Sequence, residues 1–185
     1  MSRRIIVLGI GNILWADEGF GVRAVEELNE RHAFPDHVRL VDGGTQGLAL
    51  LPIIEDADVL IILDAVDYGL APGSLFLADD DDVPSCLSAK KMSLHQTSML
   101  DVLGLAKLKG TQPLHMRLIG VQPLDLQNYG ASVTPPVRAQ IDAALTETLA
   151  YLARFGVVPR RRAAGETPEP LGPESVMIDF YELVG

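Results

Sequence analysis

Apolar residues are distributed along this chain in two alternating patterns. Short runs rich in apolar residues occur at residues 3–8, 38–41, 59–63 and 116–121, each is followed by a glycine or a polar residue, and the run at 59–63 is apolar at every position. Such runs are typical of strands that are buried on both faces of a parallel sheet. A shorter run at 74–77 follows Pro72-Gly73 and lies close enough to its predecessor to form an antiparallel strand.

Between the runs, apolar residues recur every three or four positions, which predicts helices. The clearest case is the segment 19–31, where Phe20, Val22, Val25 and Leu28 follow near-helical spacing. Further helices are predicted at 48–55, 98–107 and 135–155, and residues 79–82 are predicted to form an acidic loop. Strand and helix thus alternate, which predicts an α/β fold with about five mostly parallel strands and helices on both faces of the sheet.

Domain organisation follows from length and composition. A chain of 185 residues with 48% apolar residues suffices for one domain with a substantial core. From Pro159 onward the sequence becomes rich in arginine, proline, glycine and glutamate, which predicts a flexible tail. We therefore expect a domain at residues 1–158 and a tail at 159–185, in which 176–184 is apolar enough to dock.

Charge and cysteine content limit the classes of partner. The formal net charge of -10 disfavours nucleic acid and anionic membranes, because both would repel the average surface. A single cysteine, Cys86, excludes an intrachain disulfide, and the first apolar run is too short for a signal-peptide core. The longest apolar run, near 59–63, ends at Asp64 and is too short for a membrane span. We expect a cytoplasmic protein.

The first candidate for chemistry is the segment 9–19, which joins the first strand to the first helix. It contains Gly9 and Gly11, which allow a sharp turn, and it delivers the adjacent carboxylates Asp17 and Glu18 at the helix start. A dinucleotide-binding turn requires glycine at its sixth position, where this chain has Leu14. The loop is therefore predicted to serve something other than pyrophosphate binding.

Three potential metal ligands follow apolar strands or precede helices. Glu18 follows the first strand, Asp64 ends the third, and His95 precedes the predicted fourth helix. If the first and third strands are neighbours whose crossovers lie on opposite faces, Glu18 and Asp64 meet where strand order reverses. Two carboxylates and an imidazole are suited to a borderline divalent ion such as nickel or zinc.

Structural roles for the same residues remain open. Asp17 is most simply interpreted as a helix N-cap. Glu18 is equally consistent with a favourable interaction with the helix dipole. A carboxylate at the end of a buried strand, such as Asp64, requires a partner or an ion. Near a helix start, His95 is expected to be neutral, the form that binds metals.

Four motifs, taken together and in order, resemble the endopeptidases that mature the large subunit of nickel-iron hydrogenases, and most closely the uptake type. They are GIGN at 9–12 with DEGFG at 17–21, DGGT at 42–45, the strand that ends in Asp64-Ala65, and SLHQ at 93–96. The resemblance extends from about Ile5 to about Phe155.

The resemblance implies a three-layer α/β/α sandwich with one antiparallel strand. It also implies that Glu18, Asp64 and His95 bind nickel already inserted in the hydrogenase large-subunit precursor, from which the enzyme then removes a C-terminal peptide. The loop that begins at Asp42 is implicated in catalysis or substrate recognition, so Asp42 joins the candidate catalytic residues. Two other functions remain open on the residues alone: a non-catalytic nickel chaperone and a nucleotide-binding enzyme.

Overall fold

A central five-stranded sheet organises the molecule. A computed structural model describes residues 3–88 and 94–171, and for 88 and 94–98 only the backbone. The strands are β1 (Ile5–Ile10), β2 (His32–Ala33), β3 (Val38–Gly44), β4 (Val59–Ala65), β5 (Leu75–Asp79), β6 (His115–Val121) and β7 (Arg160–Arg161). The main sheet has the order β3-β1-β4-β6-β5, in which only β5 is antiparallel to its neighbour. The predicted mostly parallel sheet with one antiparallel strand is confirmed.

Helices cover both faces of this sheet. They are α1 (Phe20–Arg31), α2 (Leu51–Glu55), α3 (Asp82–Ser88), α4 (Leu94–Lys109), α5 (Pro135–Arg138) and α6 (Ile141–Ala153), with short 3₁₀ helices at Ala16–Gly19 and Gly47–Leu50. In the part of the chain described, no helix combines the length and the apolar character that crossing a bilayer requires.

Strand alternation divides the core into two layers. In β1, Ile5 and Val7 pack with α1 and α6, whereas Ile6 and Leu8 pack with α2 and α4 on the opposite face. Successive side chains of a strand point to opposite faces, so strands that are apolar at every position require a helical layer on each side. The three-layer α/β/α sandwich is confirmed.

Several predicted elements differ in detail. The strand β5 pairs with β6 and not with the strand that precedes it in the chain. The predicted helix 135–155 is two helices, because the Gln140 amide donates to the Val137 carbonyl and tightens the turn between them. The helix predicted at 98–107 extends over Leu94–Lys109, and α3 begins at the last residue of the predicted acidic loop.

Residues 160–171 contact the rest of the protein along its edge. The strand β7 pairs with β2, the Arg162 guanidinium donates to the Asn29 carbonyl at 2.7 Å, and Leu171 packs against the core. The division into a domain at 1–158 and a flexible tail at 159–185 remains a prediction. The apolar stretch 176–184 lies outside the described residues.

Candidate active site

The candidate residues lie where the parallel strands end. The strand β1 is flanked by β3 and β4, and its Gly9 aligns with Asp42 on one side and Leu63 on the other. The connections that leave β1 and β3 place α1 and α2 on opposite faces of the sheet. The prediction that the first and third predicted strands, now β1 and β4, are neighbours is therefore confirmed. The strand β1 lies where strand order reverses, which is where ligands bind in open α/β sheets.

Glu18 belongs to the 3₁₀ helix Ala16–Gly19, which contacts β4. The position of Glu18 depends on Gly11, whose φ of 130° favours glycine. The Gly11 backbone lies so close to Glu18 that a Cβ added to Gly11 would be 1.8 Å from the Glu18 carbonyl oxygen. A similarly close approach brings the start of α1 onto β4, because a Cβ on Gly21 would be 2.1 Å from the Leu63 carbonyl oxygen. Two glycines therefore set the half-buried Glu18 beside the ends of β1 and β4.

Asp17 does not cap the helix, which corrects the sequence interpretation. The N-cap of α1 is Gly19, with no side-chain hydrogen bond to the helix. Asp17 is fully buried, and its carboxylate accepts hydrogen bonds from the amides of Leu124, Asp125 and Thr134 and from the Thr134 hydroxyl, at 2.7–2.9 Å. These partners are more than 100 residues away, so nothing local in the sequence could have identified them.

We call residues 122–134 the clamp loop, because they hold the Glu18 segment in place. Besides the bonds to Asp17, the Gly130 amide donates to the Leu14 carbonyl at 2.8 Å. The rings of Trp15 and Tyr129 meet edge to face with centroids 5.4 Å apart. The segment after β1 is thus fixed by backbone, carboxylate and aromatic contacts together.

Asp64 is fully buried near the end of β4. By strand alternation it faces the same side as Leu60 and Ile62, which is the side covered by α4. Burial raises the pKa of Tyr68, and the charge of the Cys86 thiol, a side-chain hydrogen bond with it and the nearby carboxylate of Asp64 add to this. The Tyr68 hydroxyl also donates to the Cys86 carbonyl at 2.6 Å. Tyr68 is therefore a neighbour of Asp64 that sequence reasoning missed.

His95 lies in the first turn of α4. The sequence had predicted that it precedes this helix, so the predicted helix start is wrong. Its side chain lies outside the described residues. One helical turn later, Met99 is buried in the core on the sheet face that carries Asp64. Among the side chains that the structure describes, no three of the His, Cys, Asp and Glu type are grouped as metal ligands. The structure thus brings together the elements that carry Glu18 and Asp64, and it leaves the ligand set untested.

Asp42 ends the regular part of β3 and is half-buried. Its carboxylate accepts a hydrogen bond from the Gly44 amide at 2.9 Å. Burial raises the pKa of Asp42, while that hydrogen bond and the charge of Arg23 oppose the rise. Burial also raises the pKa of Glu26, to which Asp42 contributes as a like charge. Asp42, Arg23 and Glu26 therefore form a charged cluster that sequence reasoning missed.

Two concavities meet at Asp42. One, which we call the cleft, has a volume of about 980 Å³ and lies between the segment 11–14, the outer face of α1 and the clamp-loop residues 130–133. The other, which we call the edge groove, has a volume of about 900 Å³ and follows β3 between residues 34–36 and 169–171. Asp42 and Gln46 line both.

Comparison with known proteins identifies similar sequences and folds. The family model of hydrogenase maturation proteases matches residues 22–151. The hydrogenase expression/formation protein HupM of Azotobacter chroococcum is 54% identical over 98% of this chain and 86% of its own length. HupD of Bradyrhizobium diazoefficiens is 58% identical over 88% of this chain and 85% of its own length. The hydrogenase maturating endopeptidase HybD from E. coli superposes with a TM-score of 0.82 at 42% identity, over 86% of this chain and 98% of that structure.

Proposed function

Because this chain belongs to the hydrogenase maturation protease family, we propose that it removes a C-terminal peptide from the nickel-loaded large-subunit precursor of a nickel-iron hydrogenase. The observation that supports the proposal is that Glu18, Asp64 and Asp42 lie at or just beyond the ends of the adjacent strands β1, β4 and β3, and that Asp42 lines a cleft open to a peptide. The single cysteine supports the cytoplasm as the compartment.

Glu18, Asp64 and His95 are assigned the role of nickel ligands. Glu18 and Asp64 lie on segments in direct contact, and α4, which begins at Leu94, packs on the sheet face that Asp64 shares. Two carboxylates and an imidazole fit a borderline divalent ion with open coordination positions, which remain for groups of the precursor. The nickel is part of the substrate, and it positions the precursor on the enzyme.

Asp42 is assigned a catalytic role at the scissile peptide bond. Its raised pKa favours exchange of a proton closer to neutral pH than an ordinary aspartate allows. An aspartate-assisted attack of water on the scissile carbonyl is the step that we assign to it. Arg23 and Glu26 adjust the charge around Asp42.

The test is intact mass spectrometry of a nickel-loaded precursor before and after incubation with this protein. Loss of a C-terminal peptide is expected. A precursor that keeps its mass while it exchanges nickel with the protein would instead indicate a nickel chaperone, and saturable micromolar binding of an adenine nucleotide would favour a nucleotide-binding enzyme.

The ligand assignment is tested by Glu18→Gln, Asp64→Asn and His95→Ala. Each is expected to abolish cleavage while the far-UV circular dichroism of the fold is retained. Matched controls elsewhere on the surface are Glu147→Gln, Asp81→Asn and His37→Ala, which should cleave at the rate of the parent protein. Normal cleavage by any two of the three ligand variants would refute the assignment.

The origin of the nickel is tested separately. Soft thiolates bind such ions more tightly than two carboxylates and an imidazole do, so purified enzyme should be largely metal-free yet active on nickel-loaded precursor. Nickel-free precursor should remain uncut. Efficient cleavage of nickel-free precursor in the presence of a strong chelator would show that nickel does not direct the reaction.

A further inference from the structure

The strand β3 forms an edge of the main sheet, and part of its backbone faces the edge groove. The Ile5 amide donates to the His37 carbonyl, which turns residues 37, 39 and 41 toward β1. The alternate residues Leu40 and Asp42 therefore direct their amides and carbonyls into the groove. An edge of this kind can bind an extended peptide by adding it as a further strand.

A segment of this chain already occupies one end of the edge. The Asp42 amide donates to the Leu171 carbonyl at 3.3 Å, a backbone hydrogen bond on the side of β3 that faces away from β1. The segment is held there because the Asn29 side-chain amide donates to the Glu169 carbonyl at 2.7 Å. Backbone of another segment thus lies against this edge in the structure, namely residues 169–171.

The edge groove leads directly into the cleft. Asp42 and Gln46 line both concavities and lie at their junction. A peptide that continues from the edge of β3 past Asp42 enters the space between Asn12 and the clamp-loop residue Ser132. Groove and cleft therefore form one continuous path that extends to both sides of Asp42.

From this arrangement we infer that the edge of β3 is a substrate-binding surface, which holds the C-terminal segment of the precursor as an added strand and competes with residues 169–171. The inference rests on the proposed function. It assigns the backbone of Leu40 and Asp42 to peptide binding, and it gives the segment 160–171 the role of a competitor that the precursor displaces.

Site-directed crosslinking tests the path. In a Cys86→Ser background, benzophenone maleimide is attached at Arg39→Cys in the edge groove, at Ser132→Cys in the cleft, and at Leu108→Cys on α4 as a control. All three parent residues are exposed. After irradiation with nickel-loaded precursor, mass spectrometry locates each crosslink.

We expect crosslinks from positions 39 and 132 on opposite sides of the scissile bond, and none from position 108. Crosslinks on the same side, or no crosslink from position 39 while the labelled enzyme still cleaves, would overturn the inference and leave the proposed function intact. If the parent enzyme does not cleave the precursor, the proposed function fails and the inference fails with it.

Competition by the segment 160–171 is tested with Arg162→Ala. Arg162 is largely buried and bonds the Asn29 carbonyl, so its loss loosens the segment. We expect the KM for the precursor to fall about fivefold at unchanged kcat, since one such contact is worth about 1 kcal/mol. The matched control Arg161→Ala removes the same charge from an exposed neighbour and should leave KM unchanged. An unchanged or raised KM in Arg162→Ala would exclude the competition.

Discussion

The loops that follow β1 and β3 end at the same level of the sheet but are held very differently. The loop after β1 is bound through Asp17 by four hydrogen bonds and is clamped by the Trp15–Tyr129 contact. The segment 42–47, which contains the end of β3 and the loop after it, is held by the bond from the Gly44 amide to the Asp42 carboxylate, by the bond from the Gly11 amide to the Gly44 carbonyl and by local backbone contacts, without a buried side-chain network like that of Asp17.

This difference matches the different tasks that we propose for the two loops. Ligands for a metal ion need fixed positions, because the ion tolerates little variation in distance. A peptide-binding loop needs freedom to accommodate a chain that arrives and leaves. We therefore expect substitutions beside Glu18 to lower stability strongly and substitutions at Asp42 to affect stability little. The predictions below are ordered by the expected change in the free energy of unfolding.

Asp17→Ala should have the largest effect. It leaves the buried amides of Leu124, Asp125 and Thr134 without their acceptor, and it should lower the free energy of unfolding by about 3–5 kcal/mol. Urea unfolding measures this. The control is Asp125→Ala, whose carboxylate accepts two amides within its own turn and should contribute about 1 kcal/mol or less. Equal losses in the two variants would contradict the fixed-loop interpretation.

Gly21→Ala should rank second. Its added Cβ would meet the Leu63 carbonyl at 2.1 Å, so α1 must move away from β4, at a cost of about 2–3 kcal/mol. Gly104→Ala is the matched control in α4, where an added Cβ has no neighbour within 4 Å. Because glycine weakens a helix interior, that control should gain about 0.5–1 kcal/mol. If both substitutions stabilise the protein in thermal unfolding, the close approach at Gly21 does not determine the position of α1.

The main sheet could be predicted from the sequence because its signals are local. The run at 59–63 is apolar at every position, which predicts a strand covered on both faces, and β4 is such a strand. The pairing of β5 with β6 could not be predicted, since their separation along the chain conceals their contact. The same holds for β2 and β7, whose two-residue lengths give no periodicity.

At the site, the sequence indicated which side chains follow strands but not what surrounds them. The positions of Glu18, Asp64 and Asp42 at adjacent strand ends follow from strand order and could be anticipated. Asp17 was misinterpreted as a cap because its actual partners come from the distant clamp loop. Burial of Asp42 beside Arg23 and Glu26 likewise depends on how α1 packs beside β3.

Thr134→Ala should have a moderate effect. It removes only the hydroxyl that donates to Asp17 at 2.9 Å and leaves the amide bonds in place, so about 1 kcal/mol should be lost. Thr146→Ala is the control, because the hydroxyl of this exposed residue bonds a carbonyl of its own helix, and its loss should change stability by about 0.5 kcal/mol or less. A loss as large as that of Asp17→Ala would mean that the hydroxyl, and not the carboxylate, organises the clamp loop.

Asp42→Asn should change the free energy of unfolding least of these variants, although it should strongly lower the rate of precursor cleavage. Because burial raises the pKa of Asp42, the folded protein binds its proton more tightly than the unfolded chain does. This carboxyl therefore lowers stability as pH rises from the ordinary pKa through the raised one, and the penalty is complete above that range. Asparagine removes the penalty, so at pH 7 the variant should be at least as stable as the parent.

The pH dependence sharpens this expectation. Urea unfolding of both proteins should show the advantage of Asp42→Asn shrinking as pH falls through the pKa of Asp42, while precursor cleavage at pH 7 drops about a hundredfold or more. The control is Asp81→Asn, which removes the same charge from an exposed position and should change neither stability nor cleavage. A variant that is clearly less stable than the parent at pH 7 would place Asp42 among the fixed structural carboxylates, with Asp17, and would remove the contrast between the two loops.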